Sequence, residues 1–360
     1  MMVESPNRSR RPKAGRRGYV LLTTAGGLVA MMGALGLAVD ASALYIARNE
    51  AQAYADAAAL AAALELDGTT AGIDLARNRA LAVPNRWGLA TNTFSGTQVD
   101  FATSAQGPWV SSPNPATGYR FVRVRASAEP SLRFIPVVGG PTSSTVQASA
   151  IAAQAEKTSF SQGSFPFSPM VHNAADPNFG YTVGERYTLR WGANPRVGQN
   201  VCPGDNSETW VNKAREGNAS ERGYIEETSA AVIRRAIEQD YQTYQRAIGE
   251  SVVMTGGAKQ TIRNSLINRV NQDTDNISAT YAEYVSRGIG NGRRLVVAPI
   301  NTWYPDYRVV GFGAFFLLLP SEYPAGGNRP FCAEFIGAYV QGSRRKGAGA
   351  PGAYVVRLVE

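Results

Sequence analysis

Reactive side chains are scarce in this 360-residue chain, and the scarcity constrains what it can do. One histidine, His172, stands in a Pro-rich stretch with no companion in sequence. Histidine-clustered metal sites are therefore excluded, and any Ser-His-Asp chemistry has to pass through this one residue, expected to be a surface or packing side chain. No G-x-S-x-G elbow surrounds a serine. Two cysteines, Cys202 and Cys332, are too few for a thiolate zinc centre. They suffice for one disulfide in an oxidising compartment, where closing so long a loop is worth about 5 kcal/mol in the chain-entropy model. Two separate buried thiols are the alternative.

Oxygen-rich clusters are equally sparse. Asp205-Asn206-Ser207-Glu208-Thr209 has the D-x-S-x-T order by which von Willebrand-type domains offer oxygens to a divalent cation. In that fold a buried apolar strand leads in, whereas NPRVGQNVCPG precedes it here, so a solvated turn beside Cys202 is expected. Gln272-Asp273-Thr274-Asp275-Asn276 lacks the Gly and distal Glu of an EF-hand loop, and capping of the next helix by Asp275 or Ser278 accounts for it better. Thr255-Gly256-Gly257-Ala258-Lys259 fails P-loop spacing, and Ser343-Arg344-Arg345-Lys346 matches S-x-x-K by letter only, in what reads as a surface loop. The residues thus predict no catalytic, cofactor-binding or metal-binding set. Trp191, Trp210, Trp303, Tyr304, Tyr307 and Tyr323 cluster near turns, where aromatics serve either as core or as contacts for protein or glycan.

The elements that must position all this are clearer. Residues 19–39, YVLLTTAGGLVAMMGALGLAV, carry no charge and are long enough to cross a bilayer, which needs ~20 residues. The leader, residues 1–18, holds six basic residues (Arg8, Arg10, Arg11, Lys13, Arg16, Arg17) and one acid, while no Lys or Arg follows the apolar run until Arg48. That asymmetry predicts a cytoplasmic N-terminus with everything beyond Val39 on the far side. It also explains most of the net charge of +8, since the remaining chain holds 30 basic against 27 acidic residues. So even a balance argues against a nucleic-acid surface.

Ala-rich sequence continues without Gly or Pro until Gly68, so one rod is expected to run from the membrane to about Leu66. Its seam is Leu44, Ala47, Ala51, Tyr54, Ala58 and Ala61, with Arg48, Gln52 and Asp56 on another face. Within the apolar run, Gly26, Ala30, Ala34 and Ala38 recur every four residues, a small-residue stripe suited to helix association in lipid, including with a second copy.

The fold class predicted is α+β: a single transmembrane helix continuing into a long Ala-rich helix packed on a small antiparallel sheet, then a distal antiparallel-sheet domain with three helices. Its proposed divisions are a leader (1–18), a membrane helix (19–39), a helix-plus-sheet region (40–156), a linker (157–180) and a distal domain (181–360). A helix is expected over 71–83. Strands are expected near 99–102, over 118–128, where Val122, Val124 and Ala126 share a face, and around Val146, Ala148, Ala150 and Ala152. The distal helices are read over 223–249, 258–272 and 273–288, followed by four apolar strands at 294–300, 308–319, 331–340 and 353–359. Turn residues such as Gly326-Gly327-Asn328 separate them.

The run GLAVDASALYIARNEAQAYADAAALAAALEL resembles the N-terminal signature of the TadG-like pilus-assembly family (TadE/G-like proteins of the Flp, tight-adherence system). The matching pieces are Arg16-Arg17-Gly18, the Gly-rich apolar helix, Asp40, Tyr45, Arg48, Gln52 and Ala55-Asp56-Ala57. The resemblance covers residues 16–155 and implies an inner-membrane, single-pass protein with a periplasmic body that contacts other pilus-assembly proteins or pilins. It implies no catalytic residue and no cofactor. Against it stand three alternatives: a membrane-tethered envelope hydrolase, an adhesin-like binder using the distal aromatics, and a minor pilin cleaved after Gly18. For cleavage, the basic leader and Tyr19 fit a prepilin, but Thr23 occupies the position where prepilins carry Glu. Signal-peptide cleavage at Ala41-Ser42-Ala43 is disfavoured by the length of the apolar run and by Asp40.

Overall fold

The computed structural model describes residues 16–88, 92–225, 229–326 and 329–359, apart from the side chains of residues 16–18 and 87. The leader through residue 15, Gly327 and Asn328 of the expected turn, and residues 226–228 of the expected 223–249 helix lie outside the described residues. The chain divides into two units. The first takes residues 1–53, 85–97 and 126–148; the second takes 54–84, 98–125 and 149–360.

Helix α1 (Arg16–Ala63) is continuous for 48 residues, roughly 70 Å at 1.5 Å per residue. It needs no break because the last glycine within it is Gly36, and Ala dominates thereafter. It stops at Ala63, three residues short of the expected Leu66, where the chain turns toward Gly68 with φ +82°. The segment Tyr19–Ala63 is long and apolar enough to cross a membrane. Among the described residues from 19 to 44 only Gly36 and Asp40 are buried; from Ala47 the small face closes, with Ala51, Tyr54, Ala58 and Ala62 buried in turn.

Helix α2 (Thr70–Leu81) starts at Thr69, whose hydroxyl accepts from Gly72 N. The short strands β1 (Arg86–Trp87) and β2 (Asn92–Thr93) pair with each other. Strands β3 (Ser95–Ala102), β4 (Phe121–Ala128) and β5 (Val146–Glu156) follow. In β4, Val122, Val124, Ala126 and Ala128 are buried and their neighbours face outward, the period-two pattern of a half-buried strand. In the first unit, the connection from β4 to β5 keeps pairing past the strand ends: Leu132 N donates to Thr142 O at 2.8 Å and Ser144 N to Pro130 O at 3.3 Å. A 3-10 turn, Ile135–Val138, forms its tip.

The second unit contains strands β6 (Ser159–Phe160), β7 (Arg186–Arg190) and β8 (Glu221–Ile225), with helices α3 (Glu208–Glu216) and α4 (Ala230–Gln239). Strands β9 (Arg246–Ala247) and β10 (Met254–Gly256) and helices α5 (Ile262–Asn271) and α6 (Tyr281–Arg287) follow. Strands β11 (Leu295–Asn301), β12 (Val309–Leu317), β13 (Phe331–Val340) and β14 (Gly352–Val359) close the chain. The main sheet runs β11-β12-β13-β14-β5-β4-β3, with β7 also on β13. β11, β12, β13 and β7 pair antiparallel, as do β14 and β5, whereas β14 runs parallel to β13, Ala338 opposite Gly352.

The class is α+β, with a long N-terminal helix, an antiparallel-rich sheet and several helices. Besides the earlier end of α1, four details differ from the sequence reading. Separate proximal and distal sheets were expected, but β14 pairs with β5 from Tyr354↔Glu156 to Val359↔Ile151 and joins them. An eleven-residue β5 would otherwise present a long unpaired edge. Next, the expected linker at 157–180 is core: Phe165, Phe167, Met170 and Val171 are buried, and the segment runs beside β11, Phe165 N donating to Val297 O and Val171 N to Asn301 O. Finally, the expected 223–249 helix is strand β8 followed by a shorter α4. Gly223 takes φ +92°, outside helical range, and Asp240 ends α4 at φ 56°. Helix α3 stands where a loop was expected, capped by Ser207 and buried through Trp210 and Val211.

Candidate functional site

The residues that stand out on α1 are Gly36 and Asp40, one turn apart on one face. In the first unit the Asp40 carboxylate accepts three successive amides of the β4–β5 loop: Arg133 N at 2.9 Å to Oδ1, then Phe134 N at 2.8 Å and Ile135 N at 2.7 Å to Oδ2. These amides converge because the chain there enters a 3-10 turn, whose first N–H groups have no partner within the turn. Asp40 is 2% exposed. Gly36 leaves room for the neighbouring ring: a Cβ at that position would lie 2.6 Å from Phe134. Farther along, Glu50 Oε2 accepts Gly88 N at 2.7 Å.

In the second unit the far end of α1 is held by a neutral side chain. Gln154, fully buried on β5, donates through Nε2 to Ala63 O and Leu66 O, both at 2.8 Å, and accepts Ala348 N at 2.9 Å. Ser343 Oγ donates to Leu64 O at 3.0 Å, and Arg345 pairs with the buried Asp67 at 3.3 Å. The last carbonyls of a helix have no intrahelical donor, so these contacts satisfy groups that burial would otherwise leave bare. Ser343 and Arg345 thus belong to an anchoring set and not to the free surface loop expected. Gln154 was overlooked in the sequence, although a polar residue on the buried side of an alternating strand was the available signal.

The other signature residues are dispersed. Arg48 and Gln52 are exposed and Asp56 is half-buried. Arg16, Arg17 and Gly18 open α1, their side chains outside the described residues. Gly26, Ala30, Ala34 and Ala38 are all exposed, and the space beside Gly26 is open.

Cys202 and Cys332 are joined in a disulfide, with Cα atoms 5.8 Å apart and a sequence separation of 130. His172 and Asp205, read as unconnected, meet: His172 Nε2 and Asp205 Oδ1 are 2.6 Å apart. The Asp205 carboxylate also accepts Thr188 N and is buried, which corrects the expected solvated turn. The imidazole lies edge-on to Tyr181 and Tyr187, so the pair braces a packed ring cluster. Ser207 is spent capping α3.

Asp273 and Asp275 are likewise engaged. Asp273 accepts Tyr284 Oη, Asn291 N and Arg294 N, and Asp275 accepts Ser278 N and Oγ. The cap of α6 is Thr280, whose hydroxyl accepts Glu283 N while the Glu283 carboxylate accepts Ala279 N, instead of Asp275 or Ser278. Lys259 Nζ donates to Gly256 O within its own turn. Among the described residues no group of three or more His, Cys, Asp or Glu is placed to hold a metal ion. Of the distal aromatics, Trp191, Trp210 and Tyr323 are core, and only Tyr304 is well exposed. On β3, burial works to raise the pKa of Asp100, but hydrogen bonds and charge from Arg123 and Arg125, at 3.0 and 2.7 Å, outweigh it and hold the carboxyl below its ordinary value.

Residues 18–65 match the Tad family model, described as Flp pilus-assembly TadE/G-like. The match takes in nearly all of α1, including Gly36 and Asp40, and ends beside the Ala63–Leu66 anchor. No curated protein and no solved structure matches the chain significantly.

Proposed function

We propose that this chain is a membrane-anchored, non-catalytic component of a Tad-type (Flp) pilus system, whose work is positional. The observation that carries the reading is the coincidence of the family match at residues 18–65 with one continuous helix, α1, whose first half is apolar and bare and whose second half is built into the fold. In this reading residues 19–39 span the bacterial inner membrane, the leader stays in the cytoplasm, and the remainder stands in the periplasm. Tyr19 and Tyr45 are both well exposed and 26 residues apart on the helix. That is roughly 40 Å, close to the distance between the two headgroup layers where Tyr accumulates. The Cys202–Cys332 disulfide supports an oxidising compartment.

Helix α1 then tethers the folded body to the membrane, where the body meets pilins or other assembly proteins. The exposed stripe Gly26, Ala30, Ala34 and Ala38 is the face on which a neighbouring helix, including one from a second copy, would associate. Cell fractionation of a C-terminally tagged chain tests this, with protease added to spheroplasts and the product run beside an unprocessed standard. A full-length, inner-membrane, protease-accessible product is expected. A shortened product in sheared pilus fractions would instead make this a pilin cut after Gly18.

A further inference from the structure

We propose that the tip of the β4–β5 loop, Phe134 to Val138, is a second membrane contact: it inserts into the lipid–water interface beside the spanning helix. Depth is the first argument. The Phe134 ring packs where Gly36 has no side chain, and Gly36 lies three residues inside the apolar run that ends at Val39. The Phe134 ring is therefore held about 4–5 Å below the end of that run, at the level where interfacial elements bury their apolar faces.

Composition and exposure are the second. The tip reads Phe-Ile-Pro-Val-Val, and Val137 is 80% exposed, Val138 69% and Phe134 43%. Phe134 adjoins a helix segment that is itself apolar and bare, and the exposed valines follow it in the same short turn. Arg133, at the foot of the tip, is exposed and basic, suited to anionic headgroups.

The backbone supplies the third. In lipid, each unpaired N–H is costly. Here Asp40 takes the amides of Arg133, Phe134 and Ile135, residue 136 is proline, and Val137, Gly139 and Gly140 donate to carbonyls of the same turn. Asp40 thus lets this non-helical segment enter the interface by satisfying its donors beforehand.

The inference rests on the reading that residues 19–39 cross a bilayer, and the test separates the two. The full chain is reconstituted in vesicles of phosphatidylethanolamine and phosphatidylglycerol. A nitroxide is placed at Val137→Cys or Val138→Cys, and at Met31→Cys in the spanning segment; no free cysteine competes. Collision with oxygen and with a water-soluble nickel chelate reports depth. The expected result is a deep label at 31 and labels at 137 and 138 near the headgroup–acyl boundary, with oxygen collisions exceeding nickel. Nickel collisions dominating at 137 and 138, with 31 deep, would overturn the loop contact and leave the anchor standing. Shielding of 137 and 138 from both agents would assign the patch to a protein partner and likewise overturn it. A water-accessible label at 31 would overturn both readings.

Discussion

At Asp40, helix α1 offers a charged acceptor to the backbone donors of a loop; at Ala63–Leu66 it offers bare carbonyls to the amide of Gln154. The first region is surrounded by exposed apolar side chains; in the second, Ala63, Leu66 and Gln154 are buried. The chemistry follows the setting. A carboxylate satisfies three amides at once and orders a loop with little else to hold it. Deep in a core, an ionised group would be costly to desolvate, and a neutral amide with both donor and acceptor fits better. The proximal region should therefore lose local order when altered, and the distal region global stability.

The largest effect expected lies wholly in the second unit. Replacing both cysteines, Cys202→Ser with Cys332→Ser, removes a link across 130 residues and should cost about 5 kcal/mol. Urea unfolding of the oxidised and substituted forms measures it. Hydrogen exchange at residues 133–135 should stay as it was; simultaneous loss there would break the distinction between the regions. Next comes Gln154→Ala, which strands two carbonyls and one amide in a buried place. It should cost about 3 kcal/mol, again read by urea unfolding, whereas Gln154→Glu should do no better because it removes the donor.

At the proximal region the expected effect is smaller and local. Asp40→Asn keeps one acceptor oxygen of two, so exchange of the Arg133, Phe134 and Ile135 amides should quicken about tenfold, with the urea midpoint nearly unmoved. Gly36→Ala tests the same contact from the other side, because its methyl has to displace the Phe134 ring. An unchanged exchange pattern in both variants would mean that the loop is held by something other than this clasp.

Much of this was legible beforehand, for identifiable reasons. Helix α1 declares itself through Ala content and the absence of breakers, and β4 and β5 through strict alternation, because local pattern alone decides them. The two anchors were not legible. Asp40 stands out in sequence as the charge that follows the apolar run and as part of a family signature, but nothing local ties it to residues 93 to 95 positions away. The 157–180 segment read as a linker because Pro and Gly interrupt its pattern, yet its Phe residues are recruited by tertiary contacts with β11. The His172–Asp205 contact joins residues 33 apart that sequence spacing could not connect.

A further carboxylate sharpens the contrast with Asp40. Asp100 is held by two guanidinium groups, Arg123 and Arg125, where Asp40 is held by backbone amides. Because its folded pKa is lowered, the contribution of Asp100 to stability is fully present above the ordinary aspartate value and fades as pH falls through the lower, folded value. Asp275, held low by Ser278 after the opposing effect of burial, acts with the same sign. Thermal midpoints of the parent and Asp100→Asn should therefore differ at pH 6 and still at about pH 4, and converge only as pH falls through the lowered folded value of Asp100. With both arginines partly exposed, the difference should be no more than about 1 kcal/mol and should shrink in high salt. The Asp40 clasp, whose donors carry no net charge, should hold its amides equally well in that salt. A salt-dependent clasp would mean that the nearby Arg133 side chain, and not the three amides, does the holding.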